Sequence, residues 1–192
     1  MRNIEKEMIA WLDAKLKTHG GAQEAIRTKN ARLLFGYAND VCVGIREKGG
    51  NNKGPLVELM QETLGGADKE PWCMSAQQTL IAYCEVKCKV KSPIYASEHC
   101  LTVWNNTPKA QRVKNIPASN ALIVWRHGTT QSGHTGCMRE WQNKTMLTCE
   151  GNTEGGTSPN GEVVREGGGF YMLQRSVKGT GSMKVVGFLK PF

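Results

Sequence analysis

The apolar residues of this chain change their spacing once, near residue 120, and that single change limits the folds open to it. Ahead of it they recur every three to four positions. Ile4, Met8, Ile9, Leu12 and Leu16 fall at helical spacing over 3–18, and Gly20-Gly21 is expected to stop that helix. A second helix is predicted to run to about residue 46, burying Ala31, Leu34, Phe35, Ala38, Val41, Cys42 and Ile45. The loop signal Gly49-Gly50-Asn51-Asn52-Lys53-Gly54-Pro55 ends it. A short helix follows over 56–64, and another covers 74–84. Residues 89–119, with Pro93, Pro108 and Pro117, read as a mixed connector. Beyond 120 the pattern is one of short runs. Ala121-Leu122-Ile123-Val124-Trp125 suits a buried strand, 133–141 and 145–152 form two strands with a hairpin-sized connection, and 170–175 and 185–189 add two more. The segment 151–169, rich in Gly, Ser, Thr, Asn and Glu, is expected to be a long mobile loop. Helices first and strands after predict an α+β domain, its N-terminal helices packed on an antiparallel β-sheet.

A length of 192 residues gives room for one sizeable domain with a short appendage. No window reaches the apolar length of a membrane span, so no integral membrane segment is expected. The first residues, Met-Arg-Asn-Ile-Glu-Lys-Glu, carry no apolar signal core. The expectation is synthesis in a reducing cytoplasm without a signal peptide, with release by lysis or dedicated secretion. Seven cysteines, an odd number, argue against a closed disulfide framework. The net charge of +8 would suit nucleic acid or an anionic cell envelope. Lysines and arginines are spread without a dense run, so a generally cationic surface is expected and nucleic acid is not an expected partner.

Among the cysteines, Cys73 stands out. Pro71 holds Glu70 extended, and the helical pattern begins just after Pro71-Trp72-Cys73. A thiol at a helix start meets unpaired N–H groups and the positive end of the macrodipole, both of which favour the thiolate. Two strand segments supply possible partners. His134 opens one, in Ser132-Gly133-His134-Thr135-Gly136, and Glu150 and Asn152 end the next. Residues two apart on a strand share a face, so Glu150 and Asn152 can both flank one site and hold the His134 ring. Nucleophile, base and orienting group is the logic of a cysteine hydrolase. Trp72, beside the nucleophile, is expected to line the substrate groove.

These segments, in this order, resemble the CHAP family, the cysteine- and histidine-dependent amidohydrolases/peptidases that cleave peptidoglycan. Asn52-Lys53-Gly54-Pro55-Leu56-Val57 is similar to the Gly/Asn-Pro segment ahead of the family's nucleophile, and Pro71-Trp72-Cys73 to its nucleophile motif. Ala121-Leu122-Ile123-Val124-Trp125-Arg126 occupies the place of its first core strand. Gly133-His134-Thr135-Gly136 resembles its Gly-His-Val-Gly strand, and Glu150-Gly151-Asn152-Thr153 its Glu-Gly-Asn ending. Gly167-Gly168-Gly169-Phe170 with Arg175 resembles the turn and strand that follow, and Gly187-Phe188 the terminal Gly-Phe. Thr135 departs mildly from the pattern.

The resemblance implies a papain-like fold over 29–192, with 1–28 as an N-terminal helical appendage. It implies amide hydrolysis through an acyl-enzyme, with Cys73 as nucleophile, His134 as base and then acid, and Glu150 and Asn152 orienting or polarising. Bacterial peptidoglycan would be the substrate, cut as an amidase or an endopeptidase by a monomer acting in the manner of an endolysin on the cell wall after phage-mediated lysis. No cofactor is expected. Glu58, Glu62, Asp68 and Glu70 lack an acidic-ladder spacing, so no calcium site is predicted. Cys84 and Cys88 with His99-Cys100 could hold zinc, but buried inert thiols explain the first two equally well. Three other readings stand beside this one: a papain-like hydrolase or effector acting on protein or small amides, an inactive wall-binding module, and a nucleic-acid binder supported by charge alone.

Overall fold

The structure, a computed structural model, describes residues 1–155 and 167–192, so the middle of the loop expected over 151–169 lies outside the described residues. Its helices are α1 (Lys6–Leu16), α2 (Gly20–Arg27), α3 (Ala31–Cys42), α4 (Pro55–Glu62), α5 (Cys73–Cys88) and α6 (Cys100–Asn106), followed by a 3-10 turn at Lys109–Gln111. The strands are β1 (Arg112–Val113), β2 (Ala121–His127), β3 (Gly133–Gln142), β4 (Thr145–Thr153), β5 (Gly169–Ser176), β6 (Gly179–Thr180) and β7 (Met183–Leu189). They form one sheet in the order β1-β7-β2-β3-β4-β5, with β6 also on β7, and every pairing is antiparallel. The chain is an α+β protein with its helices ahead of its sheet.

Local chemistry moves several helix boundaries away from the expected ones. Gly20-Gly21 opens α2 instead of closing α1, because the His19 side chain accepts the Ala22 N–H at 3.1 Å and caps the new helix. The expected second helix begins only at Ala31, where Lys29 turns the backbone left-handed (φ 55°) and Asn30 caps Leu33 N–H at 3.1 Å. It stops at Cys42. Arg46, placed in that helix by periodicity, instead bridges Gly169 in extended form. The connector 89–119 hides α6, whose seven residues are too few to show a helical repeat.

Helix α5 is the axis of the molecule. Each residue from 73 to 84 is buried, as expected for a helix surrounded on every side. Most of its polar side-chain groups find internal partners: Gln77 donates to Asn39 Oδ1 at 2.9 Å, although its own Oε1 accepts nothing, Gln78 donates to Tyr95 O at 3.0 Å, and Thr79 meets Thr63 at 2.8 Å. Residues 1–28 share this core: Met8, Leu12, Leu16, Ala22 and Ala25 belong to the same apolar cluster as Met74, Leu80 and Cys84. The Arg2 guanidinium reaches Gln78 and the Ile94 carbonyl.

Strand β2 is buried on both faces, which is why its sequence is a continuous apolar run. Leu122 and Val124 face the helices. Ala121, Ile123 and Trp125 face a second cluster with Met138, Met146, Met183 and Phe188. His134, opposite Trp125 in the β2–β3 register, lies at the edge of that second cluster with its ring stacked on the indole at 5.6 Å.

Candidate active site

The approach to Cys73 is clamped before the helix begins. Gln61 on α4 donates to the carbonyls of Asn52 (3.2 Å) and Glu70 (2.7 Å), and the Asn52 amide donates to Lys69 O at 3.1 Å. One glutamine thus ties the Gly- and Asn-rich loop to the segment entering Pro71. Trp72 then caps α5, and its carbonyl accepts the Ala76 N–H at 2.9 Å. Cys73 is the first residue of the helix, where its own N–H and the next ones have no intrahelical acceptor.

Trp72 does not line the groove, contrary to the sequence expectation. Its side chain is wholly buried, its indole N–H donates to Glu47 at 2.9 Å, and its ring lies 6.5 Å from that of Phe170. Gly151 lets β4 pass against it, since a Cβ there would lie 2.7 Å from the indole. The physical reason is alternation at the helix entrance: with Cys73 turned to the cleft, Trp72 is turned into the core.

The cleft itself, about 240 Å³, is bordered by Glu70, Pro71, Cys73, Glu98, His99, Cys100, Gln131, Ser132 and Gly133. Burial, then the neighbouring Glu70, raises the pKa of Glu98 in its wall. Behind Gly133 comes His134, fully buried. Its Nε2 meets Glu150 Oε2 at 2.9 Å. Its Nδ1 has no partner at hydrogen-bonding distance, yet ring and thiol are close enough for each to shift the other's protonation. Gly136 makes the histidine–carboxylate contact possible, because a Cβ there would lie 2.5 Å from Glu150 Cγ.

Glu150 is a carboxylate with no exposure and a full set of donors. Arg175 grips it with two bonds of 2.9 Å, Nε to Oε1 and Nη2 to Oε2, and Thr148 Oγ1 donates to Oε1. Burial would raise its pKa, but hydrogen bonds from His134 and Arg175 hold it at about 2. For His134, burial disfavours the charged ring, while the charge of Cys73 and the hydrogen bond and charge of Glu150 overcome it and lift the pKa to about 9. The Cys73 thiol is pushed well below its ordinary value. The Cys100 thiol 3.8 Å away contributes most, against burial, followed by His134 and the Met74 backbone N–H. A thiolate–imidazolium pair is therefore the resting state these contacts favour.

The structure brings Cys73, His134 and Glu150 together, while the Asn152 amide hydrogen-bonds to none of them. Alternation along β4 breaks between Glu150 and Thr153, where the β4–β5 register shifts and Asn152 adopts φ 55°. Its amide is buried with no hydrogen-bond partner. The two-residue spacing thus does not give Asn152 a hydrogen bond to the imidazole.

Cys84 and Cys88 lie in the apolar core, and Cys100 sits at Cys73, not with them. Among the described residues no three His, Cys, Asp or Glu side chains group as metal ligands.

Sequence reasoning gave no role to Thr148, weighed Cys100 only as a zinc ligand and not as a neighbour of Cys73, and placed Arg175 only within a strand. The signal for Arg175 is register: it pairs with Met146, so it shares a face with Thr148 and Glu150 and reaches back along the sheet to the carboxylate. Nothing local marks Cys100, which α6 delivers from a segment without a visible repeat. No family model, no curated protein and no solved structure matches the chain.

Proposed function

We propose that the chain is a cysteine-dependent amidohydrolase of the papain-like CHAP type, cutting amide bonds in the peptides of bacterial peptidoglycan. The observation that supports it most is the Cys73 thiol at the start of α5, coupled to a His134 ring anchored by Glu150. In the reaction, the Cys73 thiolate attacks the scissile carbonyl carbon. The carbonyl oxygen becomes an oxyanion beside the Cys73 backbone N–H, which no helical carbonyl claims. Collapse of this intermediate breaks the C–N bond, and the His134 imidazolium gives its proton to the departing amine. The acyl group stays on Cys73 as a thioester. Neutral His134 then takes a proton from water, the hydroxide attacks the thioester, and the carboxylic acid and thiolate are released. Glu150 acts through His134, holding the ring and favouring its charged form. The cationic chain suits an anionic wall.

The test is mass spectrometry of soluble products from purified sacculi, with wild type beside Cys73→Ala. New amino termini within stem or cross-bridge peptides, absent with the variant, identify an endopeptidase. Free lactyl groups with new L-Ala amino termini identify an amidase. Sacculi left intact by wild type, with Cys73-dependent cleavage of a protein or small amide, would replace the wall reading by the effector-type hydrolase.

A further inference from the structure

We propose that Cys73 and Cys100 form a reversible disulfide when a hydroperoxide reaches the cleft, closing the nucleophile and sparing it from irreversible oxidation. The inference rests on the reading of Cys73 as the reactive thiol. Its geometric basis is the meeting of two helix starts. Cys73 is the first residue of α5 and Cys100 the first of α6, and their sulfurs stand 3.8 Å apart. Among the described residues they are the only thiol pair in hydrogen-bonding contact. A disulfide needs about 2.0 Å between sulfurs, so closure has to bring these two about 1.8 Å nearer. Both residues border the cleft and keep about 5% exposure, so the cleft is the route by which a small oxidant would arrive from solvent.

The other cysteines lack one or another of these conditions. Cys137 and Cys149 face each other across β3 and β4 but are wholly buried. Burial pushes Cys137 up to about 12 and Cys149 upward too, so neither supplies a thiolate. Cys84 and Cys88 lie in the core with raised pKa values. Attack on peroxide requires a thiolate that the peroxide can reach. Cys73 offers both.

The chemistry balances with one hydroperoxide as the oxidant. The Cys73 thiolate attacks one peroxide oxygen, the O–O bond breaks, and the departing oxygen leaves as hydroxide and takes a proton to become water. Cys73 is now a sulfenic acid. Cys100 loses its proton and attacks the Cys73 sulfur, an S–S bond forms, the S–O bond breaks, and a second water leaves. Two thiols have given up two electrons and two protons. A dithiol reductant reverses the change by exchange through a mixed disulfide. Without Cys100 the sulfenic acid has no adjacent thiol and further peroxide carries it to the sulfinic acid, which thiols do not reduce.

The experiment treats the full chain with hydrogen peroxide, blocks remaining thiols by alkylation, and maps peptides by mass. The expected wild-type product is a Cys73–Cys100 cross-linked peptide that disappears with dithiothreitol, with most hydrolysis of sacculi recovered. Cys100→Ser should give no such peptide, a Cys73 sulfinic acid, and no recovery. A wild-type chain that yields Cys73 sulfinic acid without the cross-link, or a cross-link to another cysteine, overturns the proposal. The two readings fail separately. A cross-link in a chain that hydrolyses nothing leaves the disulfide standing without the hydrolase, and Cys73-dependent hydrolysis without a cross-link does the reverse.

Discussion

Helix α5 carries cysteines at both ends and treats them in opposite ways. Cys73, at its start, has its pKa lowered by a neighbouring thiol, against burial, and further by His134 and a backbone N–H. Cys84 and Cys88, near its end, are pushed upward, chiefly by burial. Exposure separates them only slightly, 5% at Cys73 against 0% at the other two, and does not account for the opposite directions of their pKa shifts. What separates them is the supply of donors and positive charge, which the helix start and His134 provide and the apolar core does not. Burial makes a thiol inert only where nothing stabilises the anion.

The sharpest way to break this contrast is to remove one sulfur at a time. Cys73→Ala should lower hydrolysis at least about 10⁴-fold, the scale of losing a nucleophile that works as a unit with its base. Its urea midpoint should scarcely move. Cys84→Ala should do the opposite, keeping hydrolysis while costing roughly 1 kcal/mol through lost packing, read in the same urea titration. Iodoacetamide should label Cys73 in the folded protein and reach Cys84 only after unfolding. Hydrolysis surviving in Cys73→Ala would end the comparison, because the two ends would then be chemically alike.

Removing the charge behind His134 is the next largest change. Glu150→Gln should reduce hydrolysis on the order of 10²-fold or more, since the ring loses both its anchor and the charge favouring its protonated form. It also breaks the buried ion pair between Glu150 and Arg175, which costs about 3–5 kcal/mol. Pairing it with Arg175→Met should restore part of the stability and none of the rate. Rate returning along with stability would mean that Glu150 serves the fold alone.

The pH dependence tests the same contrast more gently. Cys73 lies well below its ordinary value and His134 at about 9, so kcat/KM should be flat between them. It should fall on the acid side as the thiolate takes a proton, and on the alkaline side through about pH 9 as His134 loses one. In Glu150→Gln the alkaline limb should move to lower pH, because one of the two groups that raise His134 is gone while Cys73 remains. For stability the sign at Glu150 is that of a depressed carboxylate. Its contribution is complete above the ordinary value of 4.5 and is lost as pH falls toward about 2, observable as a falling urea midpoint. A kcat/KM profile with a single limb near the ordinary thiol value would sink the ion-pair picture.

How much of this was legible depended on the range of each interaction. The halves of the fold were readable because helical spacing and short apolar runs are local patterns, and β2 announced its two buried faces in five consecutive residues. Cys73, His134 and Glu150 could be singled out from their places at segment ends. Boundaries set by a single cap, such as His19 at α2, were not readable, because the same Gly20-Gly21 pair can close a helix or open one. Trp72 was misplaced because adjacency in sequence says nothing about which side of a helix entrance a ring takes. Arg175 and Cys100 depend on register and on the docking of α6, both of which arise only when the chain has folded.

Asn152 gives the smallest expected effect and the finest test of what the active end of α5 requires. It follows Gly151, which packs on the helix-capping Trp72, so a catalytic amide there would be near the site in sequence and in space. Its backbone is left-handed, a conformation that costs an ordinary residue about 1–2 kcal/mol and glycine almost nothing. Its amide is buried without a partner, so deleting it also removes an unmet desolvation cost. Asn152→Gly should therefore keep hydrolysis within a few-fold and hold the urea midpoint, whereas Asn152→Ala should lose about 1 kcal/mol to strain. Since both variants lack the amide, a shared loss of rate would assign Asn152 a part in the chemistry. A loss confined to Asn152→Ala would assign it to the backbone alone, leaving Glu150 as the group that holds His134 toward Cys73.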